Sequence, residues 1–118
     1  LRINPNFAEA YNNRGIAYRD KGEYVKAISD YDQALRINPN FAEAYNNRGI
    51  AYYDKKEYDK SLSDYNLALK INPSYAKAYY NRAVIFLTLG NHDDAQKDIQ
   101  KMHTLGYPTD PHFLDLSR

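Results

Sequence analysis

The sequence predicts an all-α protein built from three antiparallel helical hairpins stacked in a row, with a short helix after the third. Three observations predict it. The octet Tyr11-Asn12-Asn13-Arg14-Gly15-Ile16-Ala17-Tyr18 recurs unchanged at 45–52 and, degenerate, at 79–86, each step being 34 residues. Self-similarity at such a period marks a stacked repeat. Each 34-residue unit also divides into two stretches with apolar residues at helical spacing. Finally, Asn-Pro pairs and short Gly- or Lys-containing turns punctuate those stretches at matching positions.

Taken in order, Leu1-Arg2-Ile3-Asn4-Pro5 repeats the residues that close a helix at 35–39, so residues 1–7 read as the stub of a preceding helix. Because the chain starts at Leu1 rather than Met, it reads as a piece excised from a longer array. Residues 8–41 form the first unit: a helix from Ala8 to about Asp20, a break at Lys21-Gly22-Glu23, and a helix from Tyr24 to Ile37 ended by Asn38-Pro39. Proline cannot continue a helix and disfavours helical backbone before it. Residues 42–75 repeat this as Ala42–Asp54, a Lys55-Lys56-Glu57 turn and Tyr58–Ile71. Residues 76–109 give Ala76–Thr88, a turn at Leu89-Gly90-Asn91 and His92 to about Thr104. Residues 110–118 are expected to cap the array. Asp110 before Pro111 reads as a helix start, and Phe113 keeps the 34-residue register from Tyr79. Residues 1–18 and 35–52 are identical, which points to a recent duplication or deliberate construction.

The pattern Ala8, Tyr11, Gly15, Tyr18, Gly22, Tyr24, Ala27, Tyr31, Ala34, Pro39 resembles the tetratricopeptide repeat, over nearly the whole chain and in three complete units. The resemblance implies a right-handed superhelix whose concave face is lined by the first helix of each hairpin and binds peptide segments. Lys56 in place of the turn glycine, Ser61 in place of Ala27 and Met102 in place of Ala34 depart from the pattern.

By that analogy the concave face presents Glu9, Asn12 and Asn13 from the first unit, Glu43, Asn46, Asn47 and Tyr53 from the second, and Lys77, Tyr80 and Asn81 from the third. Asn13, Asn47 and Asn81 form a column with one amide per unit. An amide offers donor and acceptor together and so can bond a peptide backbone without reading its side chains. This is similar to the asparagine ladder in the repeats of O-linked N-acetylglucosamine transferase; the plainer alternative is asparagine tolerated on a solvated helix face. The carboxylate clamp of chaperone-binding repeats is matched only at Asn47 and Lys77, with Asn12, Ile16 and Asn81 where Lys, Asn and Arg are expected. Acidic Glu9, Glu43, Asp20 and Asp54 outnumber Arg19 and Lys77, which implies a neutral or basic, extended peptide.

Arg14, Arg48 and Arg82 each have an Asp sixteen residues on, at Asp30, Asp64 and Asp98. That constant offset across an antiparallel hairpin reads as pairing inside the protein rather than anion binding. With 16 Lys plus Arg against 15 Asp plus Glu, the balance leaves no electrostatic footprint for nucleic acid or an anionic membrane. There is no cysteine, and no apolar run approaches the roughly 20 residues a membrane helix needs. His92, His103 and His112 lack the spacing of a helical metal pair. No phosphate loop, nucleophile motif or cofactor motif is present, so the reading is a non-catalytic interaction module with no cofactor or metal. The alternatives are a self-associating structural element or a regulatory segment of a larger protein.

Overall fold

The computed structural model describes residues 5–107. Within them lie six helices, α1 Pro5–Asp20, α2 Tyr24–Ile37, α3 Ala42–Asp54, α4 Tyr58–Ile71, α5 Ala76–Thr88 and α6 His92–Thr104. They pair as the hairpins α1/α2, α3/α4 and α5/α6. Neighbouring hairpins meet through α2 against α3 and α4 against α5, while α1, α3 and α5 lie side by side. The expected helix over 110–118 falls outside the described residues.

One boundary differs from the sequence reading. α1 begins at Pro5, not Ala8, although residues 5–8 match 39–42, where the helix begins at Ala42. The second copy is held differently. Asn38 is extended and its N–H donates to Ala34 O, closing α2. Its Oδ1 accepts the Asn40 N–H at 3.2 Å and its carbonyl accepts the Phe41 N–H at 3.2 Å, so Pro39 is locked into a turn. At Pro5 the ring's fixed φ and missing N–H suit the first turn of a helix.

The first helix of each hairpin ends in a left-handed residue. Gly22 and Gly90 have φ of 78° and 81°. The Glu23 N–H reaches back to Tyr18 O at 2.9 Å and the Asn91 N–H to Phe86 O at 2.7 Å, which satisfies carbonyls the helix leaves over. Lys56 adopts the same conformation at φ 63°, and Glu57 N–H reaches Tyr52 O at 2.9 Å. The departure from glycine therefore leaves the turn intact but strained.

Inside each hairpin the two helices approach to the limit that glycine allows. A Cβ built on Gly15 would fall 2.5 Å from Tyr31 Cε1, and one on Gly49 would fall 2.6 Å from Tyr65 Cε1. In the third hairpin the same positions are Ala83 and Ile99, both fully buried, so the extra methyl is matched by loss of the ring. Ser61, fully buried, donates its hydroxyl to Gly49 O at 2.6 Å and also meets the Tyr65 hydroxyl. Burial pushes the Tyr65 phenol up to about 12. In the first hairpin Ala27 offers no such partner. Among the described residues the Tyr31 hydroxyl is the buried side-chain polar atom without a hydrogen bond.

Two outcomes follow for stability. Lys56→Gly removes the penalty for a left-handed side chain and raises stability by about 1 kcal/mol, read by urea denaturation; an unchanged midpoint would show the turn unstrained. Gly49→Ala lowers stability by about 1–3 kcal/mol through overpacking. In a Tyr65→Ile background the clash is gone, and the same change becomes neutral or stabilising by up to about 1 kcal/mol through helix propensity. Equal losses in both backgrounds would refute the close approach as the cause.

Candidate functional site

Beside the glycine contact, each hairpin is tied by an arginine. Arg14 Nε and Nη2 donate to Asp30 at 2.7 and 2.8 Å, Arg48 to Asp64 at 2.9 and 2.7 Å, and Arg82 to Asp98 at 2.9 and 2.6 Å. The planar fork meets both carboxylate oxygens each time. Aromatic rings flank the guanidinium: Tyr11 and Tyr18 around Arg14, Tyr45 beside Arg48, and Tyr79 and Phe86 around Arg82, at 5.5–5.8 Å. The side-chain bond from Asp64 holds Arg48 well above the usual arginine range, with Asp32 adding to it. Burial pushes the Asp64 carboxyl up while the guanidinium pulls it back. These arginines belong to the fold, as the sixteen-residue offset implied.

Five further contacts join one hairpin to the next. Arg48 Nη1 donates to Asp32 at 2.9 Å, and Arg82 Nη1 to Asn66 at 3.0 Å. Arg19 Nε pairs with Asp54 at 3.0 Å. Asn47 Nδ2 donates to Asn12 Oδ1 at 3.0 Å, and Asn81 Nδ2 to Asn46 Oδ1 at 3.0 Å.

These amide pairs correct the reading of Asn12 as a groove residue: it is 3% exposed and lies outside the lining, whereas Asn46, 2% exposed, lines the groove from its floor. A buried amide needs partners, and each finds the amide of the next unit. Asn46 also meets the Tyr75 hydroxyl, whose titration burial pushes up. Asn47 and Asn81 are each fixed by one bond and keep their Oδ1 and a second N–H.

A groove of about 870 Å³ opens above them between α3 and α5. Of the residues expected there, Glu43, Asn46, Asn47, Lys77, Tyr80 and Asn81 line it, together with Ile16 and Ile50. Glu9 and Asn13 are exposed on α1 but lie beyond its lining. Tyr53 also lies outside: its ring packs on Tyr58 across the hairpin turn, centroids 5.5 Å apart. Six lining residues were missed, Asn72, Ser74 and Ala76 among them. Tyr75 comes from the turn before α5, and Met102 and Tyr107 come from the end of α6 and beyond. Glu43 and Lys77 are the charged lining residues, so the described wall is electrically balanced. Among the described residues no group of three His, Cys, Asp or Glu could hold a metal ion, and no helix is long and apolar enough to cross a membrane.

Comparison with known proteins places this geometry. Family models described as "Tetratricopeptide repeat" match residues 1–29 and 65–97, and residues 42–75; one described as "TPR repeat" matches residues 16–56. Among solved structures, the first TPR of Spaghetti (RPAP3) bound to HSP90 peptide SRMEEVD is similar at TM-score 0.88 and 28% identity, over 98% of this chain and 90% of that one. The first TPR domain of human RPAP3 is similar at TM-score 0.87 and 29% identity, over 95% and 87%. MamA is similar at TM-score 0.82 and 28% identity, over 87% of this chain and 60% of that one. Among curated proteins none matches the chain.

The arginine pairing is testable at the central hairpin. Arg48→Ala or Asp64→Ala alone strands a largely buried charge and costs about 3–5 kcal/mol. The double change costs less than the sum, with a coupling of about 1–3 kcal/mol by denaturant titration. Additive losses would mean the pair contributes nothing as a pair.

Proposed function

The chain belongs to the tetratricopeptide repeat family, and from that premise we propose that it is a non-catalytic scaffold binding an extended peptide segment of a partner protein in the groove between α3 and α5. The groove itself carries the reading. Its floor holds Asn47 and Asn81, each oriented by a bond to the preceding unit, with hydrogen-bonding capacity left over. Amides fixed in advance bond a peptide backbone without first losing rotamer freedom. Ile16, Ile50, Tyr75, Tyr80, Met102 and Tyr107 supply apolar surface for side chains. Glu43, Asn47, Lys77, Tyr80 and Asn81 are the contacts retained from the sequence reading. Asn46 is retained too, lining the floor and holding Asn81, and Asn12 acts from beneath by holding Asn47.

The similar RPAP3 structure is bound to the acidic peptide SRMEEVD. That supports a peptide ligand here, but not an acidic one. Asn47 and Lys77 stand in clamp positions, whereas Ile16 stands where Asn is expected, Asn81 where Arg is, and Asn12, in place of Lys, is buried. Glu43 lies on the same wall and opposes carboxylates. The ligand proposed is neutral or basic.

Fluorescence anisotropy with a panel of acidic, neutral and basic labelled peptides tests this. SRMEEVD binds at least about tenfold more weakly than the best neutral or basic peptide. Glu43→Lys, at an exposed position, narrows or inverts that ratio with an unchanged melting temperature. Tightest binding of SRMEEVD to the unaltered protein would overturn the charge preference, and no binding by any panel member would overturn the groove reading.

A further inference from the structure

The amides of the groove are spaced, and the spacing selects a backbone conformation. Asn47 and Asn81 occupy the same position of successive units, on α3 and α5, which lie side by side. Each donates one N–H to the unit before, so both amides are anchored from the same direction. Their second N–H groups are therefore one helix-to-helix distance apart, roughly 8–10 Å. In a β-strand the carbonyls on one side recur every second residue, about 7 Å apart, and the third faces away. In a polyproline II helix three residues make a turn at a rise of about 3.1 Å each, so every third carbonyl points the same way, about 9 Å on. The two donors match the second repeat and not the first.

The rings of the groove match the same ligand. Tyr80 stands where the earlier units hold the buried amides Asn12 and Asn46, and it is 44% exposed. Tyr107 is 51% exposed, and Tyr75, its hydroxyl meeting Asn46, lines the groove with them. Proline-rich segments dock on aromatic-lined grooves because their helix is preformed and little conformational entropy is lost. A prolyl residue has no N–H, so it bonds a protein through its carbonyl, which needs a donor. Asn47 and Asn81 supply two. Glu43 and Lys77 balance each other on the wall, which suits a segment without charge where it makes contact. Given that the groove takes a peptide, we propose that this peptide is a proline-rich segment of a partner protein bound as a polyproline II helix. Carbonyls three residues apart meet Asn47 and Asn81, and prolyl rings lie on Tyr80 and Tyr107.

Fluorescence anisotropy on the intact chain, with three labelled dodecamers, tests this. One is all-L oligoproline. The second alternates L- and D-proline, which keeps the rings but cannot form the three-residue turn. The third is a glycine–serine repeat without rings. The all-L peptide binds at least about tenfold more tightly than either. In an NMR titration the side-chain NH2 signals of Asn47 and Asn81 move together, while that of Asn13, beyond the groove lining, stays. Tyr80→Ser and Tyr107→Ser each weaken the all-L peptide about threefold to tenfold at an unchanged melting temperature, and Tyr80→Phe leaves binding as it was. Equal binding of the alternating peptide, movement of only one of the two amides, or binding that survives both serine changes would each overturn the proposal. If the all-L peptide fails while another neutral or basic peptide binds, the polyproline assignment falls and the groove reading stands. If no peptide binds, both fall.

Discussion

A glycine backbone pressed against an aromatic ring sets the distance between the helices of the first two hairpins. Gly15 on Tyr31 and Gly49 on Tyr65 leave no room for a methyl group. That distance decides what the neighbouring residues can do. Arg14 precedes Gly15 and Asp30 precedes Tyr31, so the close approach brings guanidinium and carboxylate within reach of two hydrogen bonds. A looser hairpin would leave the same charges as a solvated pair, contributing about 0–1 kcal/mol. Packing comes first here, and in the second hairpin, where Arg48 and Asp64 side chains are 21% and 3% exposed, it also keeps most water from the pair.

The same residues then carry order from one hairpin to the next. Arg48 bonds Asp64 within its own hairpin and Asp32 in the one before, so a single guanidinium fixes both the hairpin and its neighbour. One helical step away, Asn47 bonds Asn12, and Asn81 bonds Asn46. The groove floor is thus the upper side of the inter-hairpin contact. Its amides are held by the stacking of units, so groove geometry and array stability rest on one network.

Helix limits were legible because Gly, Lys-Lys and Asn-Pro punctuate the chain at fixed intervals. The Arg–Asp pairs were legible because an offset of sixteen recurs even where Gly has become Ala and Tyr has become Ile. Asn12 was misread because a polar residue on a first helix looks like surface until the next unit's amide is seen to reach it. Adjacent helix positions point about 100° apart, and which of Asn12 and Asn13 faces inward depends on the rotation of the neighbouring helix. Tyr75, Met102 and Tyr107 escaped because the superhelix curves a turn and the end of a second helix into the groove. Tyr53 had a ring partner across its own turn. The turn at Pro39 shows the same limit: Asn38 closes α2 and its side chain and carbonyl hold the turn, which the sequence alone does not display.

The three hairpins solve one packing problem in three ways. In the first, Tyr31 fills the gap over Gly15 but buries a hydroxyl with no partner, and burial raises its titration to about 12. Such an orphaned group costs about 1–3 kcal/mol. In the second, Ser61 stands where Ala27 was and meets the Tyr65 hydroxyl, while its own proton goes to Gly49 O. In the third, Ile99 removes the hydroxyl altogether, and Ala83 takes up part of the ring's space. Each change lies on the second helix or is answered there, whereas the first helices of units one and two differ over 8–20 and 42–54 only at Arg19 and Tyr53. That asymmetry follows from their duties. In unit two the first helix must meet its partner, receive the preceding hairpin and line the groove, so few of its faces are unconstrained. The second helix carries no groove duty in the first two units, and so the packing problem is solved on its side of the contact.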